Sequence, residues 1–208
     1  MKYKLIIFDF DGTLADSFPW AVSIIGYLAE KYHLPPAAPE EVERLRGYDP
    51  RQILKMAGVP LWKLPRIARE VRRLMTKQID QIRLFAGVDR LLQALAEEGA
   101  TLAVVSSNSR DNIRHVLGPA NAARIRYYEC GVSLFGKAPK LRQVLRRSGV
   151  QPGDAILIGD EVRDLQAAQA VGMAAGAVAW GYNHLAALQA HAPDEVFARV
   201  EEIAEKLA

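Results

Sequence analysis

Three separated stretches of this chain share one pattern, a short apolar run that ends directly in an acidic or hydroxyl residue. The runs cover residues 5–8, 101–105 and 155–159, and they end at Asp9, Ser106 and Asp160. Short apolar runs predict buried β-strands, and ligands of an open parallel sheet bind where its strands end. The pattern therefore predicts an α/β fold whose strand ends converge on one anion-handling, metal-dependent site.

Helical and strand patterns alternate from residue 87 onward. Helical spacing is found in residues 88–95, 111–117, 139–147 and 162–171, and strand-like runs in residues 101–105, 124–130, 155–158 and 174–179. Such alternation favours a parallel sheet covered by helices on both faces. We expect a Rossmann-like parallel core to which the first strand, residues 5–8, also belongs.

The stretch between residues 17 and 84 contains no convincing strand and is too long for one crossover connection. Apolar residues recur at helical spacing within it, at Ile67, Val71, Leu74 and Ile79. We therefore predict an inserted α-helical cap domain over residues 17–84, with residues 1–16 and 85–208 forming the core domain.

Composition narrows the classes of protein to consider. Half of the 208 residues are hydrophobic, no apolar run is long enough to cross a bilayer, and the single cysteine, Cys130, cannot form an intrachain disulfide. The net charge of +3 is too small to imply a nucleic-acid partner. We expect a cytoplasmic protein with neither nucleic acid nor membrane as a partner, and the basic balance is compatible with small anionic substrates. The oligomeric state stays open.

Two carboxylates, Asp9 and Asp11, follow the first strand, and Gly12 gives the backbone freedom to turn there. One carboxylate can attack an electrophile while the other protonates the leaving oxygen and later deprotonates water. Asp-Gly pairs are also ordinary turn material. The apolar strand before this pair favours catalysis over a plain turn.

A second acidic group follows the strand at residues 155–159. Asp160 ends the strand and Asp164 lies one helical turn further on, so both carboxylates can face one cleft. Carboxylate oxygens gathered in this way suit Mg²⁺. The alternative is that Asp160 and Glu161 only stabilise a helix N-terminus.

Further groups could hold a phosphate. Ser106, followed by Ser107 and Asn108, offers a hydroxyl and exposed amides, and Lys137 offers an ammonium at the start of a helix. A serine after a strand is often only a helix cap, and Lys140 competes with Lys137 for the same role.

With these motifs together, the chain resembles the haloacid dehalogenase superfamily over essentially its whole length, in the phosphatase branch with a helical cap inserted after the first strand. Residues 9–17 match the first motif of that family almost letter for letter. Ser106 matches the second motif and Lys137 the third, while Asp160 and Asp164 match the fourth. Residues 178–183 are similar to phosphoglycolate phosphatase-like members.

The resemblance implies a Mg²⁺-dependent phosphatase whose partner is a small phosphorylated substrate, either a phosphoglycolate-like compound or a sugar phosphate. By it, Asp9 is the nucleophile that becomes phosphorylated, and Asp11 is the general acid and base with its backbone carbonyl on the metal. The implied metal ligands are Asp9, Asp11, Asp160 and Asp164. The implied phosphate-binding residues are Gly12, Thr13, Ser106, Ser107 and Lys137, with Thr13 helping to set the geometry around Asp11. An acidic residue at position 11 argues against dehalogenation.

Two positions depart from the motifs of the family. The motifs also do not indicate the substrate. Ala138 follows Lys137 where phosphoglycolate phosphatase-like members usually have proline, and Glu161 stands where many relatives have serine or threonine. Specificity is expected in the cap, where arginines in residues 44–51 and a basic helix in residues 63–77 could meet an anion or simply face solvent.

Two other functions remain open at this stage. One is a phosphoglucomutase-like phosphoryl transfer, and the other is a non-catalytic binding protein with the same fold. Histidines at positions 33, 115, 184 and 191 lack metal-ligand spacing and receive no catalytic role.

Overall fold

The computed structural model describes residues 1–36, 38–131 and 136–208. Its centre is a six-stranded sheet in which every paired strand is parallel, in the order β3-β2-β1-β4-β5-β6. The strands are β1 Leu5–Phe8, β2 Thr101–Val105, β3 Ile125–Glu129, β4 Ala155–Gly159, β5 Ala174–Val178 and β6 Glu195–Phe197. The predicted fold class, a parallel α/β sheet, is confirmed.

The helices fall into two groups along the chain. Between β1 and β2 lie α1 Phe18–Ser23, α2 Ile25–Tyr32, α3 Pro39–Leu45, α4 Pro50–Met56, α5 Leu64–Lys77 and α6 Val88–Glu97. After β2 come α7 Arg110–Arg124, α8 Lys137–Ser148, α9 Val162–Gln169, α10 Leu185–Gln189 and α11 Glu201–Leu207. Short 3₁₀ turns occupy Leu61–Lys63, Ile79–Gln81 and Pro152–Asp154.

The core lies on both faces of the sheet because successive side chains of a strand point in opposite directions. Ile6 and Phe8 pack into one cluster with residues of α6, and Leu5 and Ile7 pack into the other with residues of α8 and α9. All four side chains of β1 are fully buried, and each such burial contributes about 1.5–3 kcal/mol. The central strand is therefore held rigidly on both sides, directly before Asp9.

Most predicted elements match the structure to within a few residues. The helix predicted at 111–117 continues to Arg124 across a kink, where Gly118 has a positive φ of 71° and Pro119 follows. Strand β6 was not predicted, because its three residues are too short to show alternation. Within the described ranges, no helix combines the length and the apolar character that crossing a membrane requires.

The helical stretch between β1 and α6 leaves and rejoins the sheet at one place. The backbone N–H of Asp16 donates to the carbonyl of Arg83 at 2.9 Å, and that of Phe85 donates to the carbonyl of Leu14 at 3.0 Å. In its described part this stretch carries helices and turns and no strand. Its separation as a cap domain over residues 17–84 stays a prediction.

Candidate active site

The three polar strand ends meet because β2, β1 and β4 are neighbours in the sheet. Phe8 is in register with Val104 on one side and with Ile158 on the other. The chain therefore delivers Asp9, Ser106 and Asp160 to the same edge, and all three are buried. This is the carboxyl edge, where ligands of open parallel sheets bind.

Three carboxylates form a compact cluster at this edge. Asp9, Asp160 and Asp164 each place one oxygen so that all three oxygens lie within 4.8 Å of one another. Asp164 reaches the cluster from the first turn of α9, one turn after Asp160, as the spacing predicts. Like charges so close repel strongly outside bulk water, so the cluster requires cations to balance it.

Lys137 supplies one of those cations. From the start of α8 its Nζ lies 2.8 Å from Oδ2 of Asp9 and 2.5 Å from Oδ1 of Asp164. Burial would lower the pKa of Lys137, but the two carboxylates outweigh it and raise the pKa. Lys140, the competing candidate, instead pairs with Glu129 at 3.0 Å and lies outside the site.

The carboxyl groups of the cluster differ in their acidity. Burial opposes ionisation of Asp9, yet the charges of Lys137 and Arg163 and the N–H of Phe10 outweigh it and hold its pKa below the usual value. Burial and neighbouring carboxylates raise the pKa of Asp160 well above the usual range, and burial raises that of Asp164 to about 6. Among the three carboxyl groups, Asp9 is therefore the one that most readily stays ionised.

Asp160 is oriented by two hydrogen bonds from distant parts of the chain. The hydroxyl of Thr13 donates to Oδ1 at 2.6 Å, and the backbone N–H of Tyr182 donates to Oδ2 at 2.8 Å. The family resemblance predicts a role for Thr13 around Asp11. In the structure its side chain instead positions the carboxylate of Asp160.

Two glycines allow the backbone to approach Asp160 closely. Gly12 has a φ of +77°, and a Cβ placed on it would lie 2.8 Å from the Cγ of Asp160. A Cβ on Gly181 would lie 2.5 Å from the same atom. Any larger residue would displace the carboxylate, so Gly12 serves the site by its lack of a side chain as well as by its turn.

The carboxylate of Asp11 lies outside the acidic cluster. Its two oxygens accept hydrogen bonds from Nδ2 of Asn108 at 3.3 and 3.1 Å. Removal from water and the charge of Asp9 raise the pKa of Asp11 to about 7. A carboxyl group of this acidity can donate a proton and accept one near neutral pH.

The loop after β2 places Asn108 beside Asp11. The hydroxyl of Ser106 accepts the backbone N–H of Asn108 at 3.2 Å, and the carbonyl of Ser107 accepts from Arg72 of α5 at 3.2 Å. The side-chain oxygen of Asn108 accepts from the N–H of Ser109 and from Asn112. Asn108 is thereby fixed in the orientation in which its Nδ2 faces Asp11.

Glu161 acts as a helix cap. It forms a reciprocal capping box with Asp164 at the start of α9, and its carboxylate pairs with Arg163. The histidines fall outside the cluster; His115 and His184 face Asp80 and Glu43, respectively.

Three residues of the site have no individual role predicted from the sequence. Asn108 holds Asp11, Arg163 adds positive charge beside the cluster, and Asn183 joins α9 to the loop after α3. Asn108 and Asn183 both lie in loops that directly follow strands. That position is the one sequence feature that could have marked them as site residues. Arg163 faces the site because α9 begins at Val162, directly after the acidic strand end. No local sequence pattern indicates the direction of its side chain.

The predicted arginine loop does contact the site region, although through the protein backbone. Arg46 donates to the carbonyls of Gly181 and Tyr182 at 3.0 Å each. Arg44 pairs with Glu41 on the surface of α3. Arg46 therefore ties the loop after α3 to the segment that holds Asp160.

The donor set of the cluster fits a hard divalent cation. Carboxylate oxygens of Asp9, Asp160 and Asp164 are the ligands such ions prefer, and their convergence is otherwise electrostatically costly. Thr13 and Tyr182 fix the orientation of Asp160, as outer hydrogen bonds do around metal ligands. The side chain of Asp11 is directed elsewhere, to Asn108.

Comparison with known proteins agrees with this geometry. The sequence model of the haloacid dehalogenase-like hydrolases matches residues 6–178. A phosphoglycolate phosphatase of Synechococcus elongatus is 36% identical over 92% of this chain and 91% of its own, and one of Haemophilus influenzae is 29% identical over 94% of each.

The fold also matches solved structures. A haloacid dehalogenase-like family hydrolase from Streptococcus pneumoniae superposes with a TM-score of 0.79 over 100% of this chain and 99% of its own, at 21% identity. Such a likeness shows the shared fold alone. Together with the sequence match, it confirms the predicted resemblance: the chain belongs to the haloacid dehalogenase-like hydrolase family, in its phosphoglycolate phosphatase-like branch.

Proposed function

We propose that this protein is a Mg²⁺-dependent phosphatase that hydrolyses a small phosphate monoester through a phosphorylated Asp9. The observation that carries the proposal is the geometry of two neighbouring carboxyl groups: Asp9 lies in the acidic cluster with Nζ of Lys137 2.8 Å from its Oδ2, whereas Asp11 is directed out of that cluster towards Asn108. Their pKa values agree with this difference. Asp9 has a lowered pKa beside Lys137, whereas the pKa of Asp11 is raised to about 7. A nucleophile and a general acid need this separation.

In the first step, an oxygen of Asp9 attacks phosphorus and the bond between phosphorus and the leaving oxygen breaks. Asp11 donates its proton to that oxygen, which therefore leaves as an uncharged hydroxyl group of the product. Asn108 holds the Asp11 carboxyl group for this transfer through its hydrogen bonds of 3.1 and 3.3 Å.

In the second step, water attacks the phosphorus of the aspartyl phosphate while Asp11, now ionised, accepts a proton from that water. The bond from phosphorus to Asp9 breaks, which releases inorganic phosphate and restores the carboxylate. Asp11 thus ends the cycle protonated, as it began, and one water molecule has been consumed.

The remaining site residues would hold the phosphoryl group. Lys137, Ser106, Ser107 and the backbone around Gly12 and Thr13 offer an ammonium, hydroxyls and amides at the same sheet edge. Lys137 also neutralises part of the charge of Asp9, which lowers the repulsion between that carboxylate and an approaching phosphate.

Magnesium would be held by Asp9 and Asp160 with support from Asp164, and by the backbone carbonyl of Asp11. When bound, the ion supplies positive charge that offsets the negative charge of the phosphoryl group. Thr13 and Tyr182 would hold the carboxylate of Asp160 in a fixed orientation towards the ion.

The relatives indicate which substrates to try first. Phosphoglycolate phosphatases are prominent among them, and an N-acetylmuramic acid 6-phosphate phosphatase of Pseudomonas aeruginosa is 26% identical over 88% of this chain. A phosphoglycolate-like compound and a sugar phosphate therefore represent the two expected substrate classes.

The test is phosphate release from a panel of phosphoglycolate, sugar phosphates, nucleotides and pyrophosphate, with Mg²⁺ and with chelator. We expect release that requires Mg²⁺ and is lost in Asp9→Asn. Isomerised sugar phosphate without free phosphate would instead identify a mutase, and release unaffected by chelator or by Asp9→Asn would refute the proposed chemistry.

A further inference from the structure

Asn112 is a buried asparagine in the first turn of α7, four residues after Asn108. Its backbone N–H donates to the hydroxyl of Ser109, which caps this helix, at 3.2 Å. The Asn112 side chain is therefore not needed for capping. A buried amide requires hydrogen-bond partners, and those of Asn112 lie on the loop after β2 and on α5.

The side-chain amide of Asn108 uses all of its hydrogen-bonding capacity. Its Oδ1 accepts from the backbone N–H of Ser109 at 2.8 Å and from Nδ2 of Asn112 at 3.1 Å. Its Nδ2 donates to the carboxylate of Asp11 and to the sulfur of Met75. An amide offers two lone pairs and two N–H groups. Asn112 thus supplies one of the two donors that hold the Asn108 oxygen.

Backbone groups that cannot exchange their roles fix the direction of both amides. The N–H of Ser109 can only donate, so it faces the oxygen of Asn108. The carbonyl of Arg72 can only accept, and it lies 3.4 Å from Nδ2 of Asn112. The Asn112 oxygen then faces the hydroxyl of Thr76, 2.9 Å away. A reversed Asn112 would place its oxygen against two acceptors, so its nitrogen is held towards Asn108.

We propose that Asn112 is a positioning residue for the general acid. Its amide holds Asn108 in the direction that presents Nδ2 to Asp11, and it acts on Asp11 through Asn108. The inference rests on the proposed phosphatase function and adds to it a residue outside the acidic cluster. In the step concerned, the bond from phosphorus to the leaving oxygen breaks and the proton of Asp11 moves to that oxygen. Asn112 gives up no proton.

Loss of the Asn112 amide would leave the Asn108 oxygen with the N–H of Ser109 as its remaining donor. The Asn108 side chain could then rotate about that single hydrogen bond, and its contact with Asp11 would loosen. Small displacements of a proton donor lower the rate. The loss falls on esters whose leaving oxygen must be protonated, whereas a nitrophenolate leaves as an anion and needs little help from an acid.

The test therefore compares two esters, phosphoglycolate and p-nitrophenyl phosphate, in Asn112→Leu with Mg²⁺. This substitution removes the amide and keeps a side chain of similar size. We expect kcat/KM to fall by about tenfold for phosphoglycolate and by less than about twofold for p-nitrophenyl phosphate. A purely structural role would lower both values by the same factor.

Asn121→Leu is the matched control, because Asn121 is a second buried asparagine of α7 and lies away from the site. Its amide donates to Asp89 and to the carbonyl of Leu117. Its variant should keep the wild-type ratio of the two kcat/KM values. If circular dichroism shows that Asn112→Leu does not fold, Asn112→Asp keeps the shape and turns an oxygen towards the oxygen of Asn108. The same selective loss is expected there.

A double variant shows whether Asn112 acts through the general acid. In an Asp11→Asn background, adding Asn112→Leu should change kcat/KM for phosphoglycolate by less than about twofold, because residues that act as one unit are not additive. A further loss of about tenfold, equal to that in the single variant, would show that Asn112 acts independently of Asp11 and would overturn the proposal.

Crystal structures of Asn112→Leu and Asn121→Leu provide a measurement that does not depend on turnover. Nδ2 of Asn108 should move away from Asp11 in the first variant and stay in place in the second. If it does so while wild type hydrolyses neither ester, the proposed function fails and the orienting role of Asn112 stands. An unmoved Asn108, or equal losses with the two esters, would overturn the proposal.

Discussion

The ammonium of Lys137 lies 2.8 Å from an oxygen of Asp9 and thereby joins the start of α8 to the end of β1. The same ammonium lies 2.5 Å from Asp164. One buried cation is therefore shared by two buried carboxylates. Removing it would leave both without their direct ion-pair partner, which is far more costly than losing a surface ion pair.

Lys137→Met should reduce kcat by about 100-fold or more, because the phosphoryl group and Asp9 would lose the positive charge that offsets their repulsion. Lys140→Met is the matched control, since Lys140 pairs with Glu129 outside the site and is partly exposed. Steady-state kinetics with Mg²⁺ compares the two variants. A similar kcat for Lys137→Met and the control would contradict the assignment.

Asp11→Asn should lower turnover and yet raise the melting temperature of the metal-free protein at pH 8. The folded-state pKa of Asp11 is about 7, above the value of about 3.9 in an unfolded chain. The folded state therefore holds the extra proton between these pH values, and the stability contributed by Asp11 falls as the pH rises from about 4 to 7.

The asparagine variant lacks this titration, so its melting temperature relative to wild type should increase across that window, by about 2 °C or more at pH 8. Thermal melts in chelator at pH 5 and pH 8 measure the difference. Asp9→Asn is the contrast, because the pKa of Asp9 is lowered and its ion pair with Lys137 would be lost. A gain in stability for Asp9→Asn equal to that of Asp11→Asn would be inconsistent with this description.

Gly12→Ala should abolish most turnover, because the added Cβ would meet the Asp160 carboxylate and the Tyr182 ring. Gly149→Ala is a suitable control: Gly149 also has a positive φ, of 72°, but a methyl group added to it would have no neighbouring atom within 4 Å. Both variants carry the backbone strain of about 1–2 kcal/mol. Only Gly12→Ala should lose metal binding and activity, as measured by Mg²⁺ titration and kinetics.

Asn183→Ala should weaken the contact between the loop after α3 and the start of α9. The Asn183 amide donates to the carbonyls of Arg46 and Tyr48 at 2.8 and 3.0 Å, and its oxygen accepts the N–H of Val162 at 3.0 Å. Loss of these buried hydrogen bonds should reduce the free energy of unfolding by about 2–4 kcal/mol. Urea unfolding measures the change.

Asn183→Asp retains an acceptor for the N–H of Val162 but puts a carboxylate oxygen where the amide donated to the carbonyls of Arg46 and Tyr48. It therefore keeps the contact with α9 and replaces the loop contact with repulsion. We expect KM to rise more than kcat falls in this variant, because the catalytic carboxylates keep their own partners. Unchanged KM and unchanged stability in both variants would show that the contact has no role.

The core of the fold was predictable because its signals are local. Runs such as residues 101–105 and 155–159 are apolar throughout and end in a polar residue, and their parallel pairing brings those ends together. Asp9, Ser106 and Asp160 could be placed at one edge on this basis alone. Strand β6 could not be predicted in this way, because three residues are too few to show an alternating pattern.

The partners within the site were less accessible to sequence reasoning. Thr13 bonds Asp160 across a separation of 147 residues, and Asn108 turns its amide towards Asp11. Such pairings depend on loop conformations set by tertiary packing. Choosing between Lys137 and Lys140 likewise requires knowing how α8 is oriented, because the two lysines lie within one turn of this helix.

The most direct test of the central claim is to trap the phosphorylated enzyme. Wild type, Asp9→Asn and Asp11→Asn are mixed with substrate and Mg²⁺ and quenched in acid, and the phosphorylated peptide is then located by mass spectrometry. We predict a phosphoryl group on Asp9 in wild type, a larger trapped fraction in Asp11→Asn, and none in Asp9→Asn. Phosphorylation of another residue, or turnover by Asp9→Asn at the wild-type rate, would contradict Asp9 as the nucleophile.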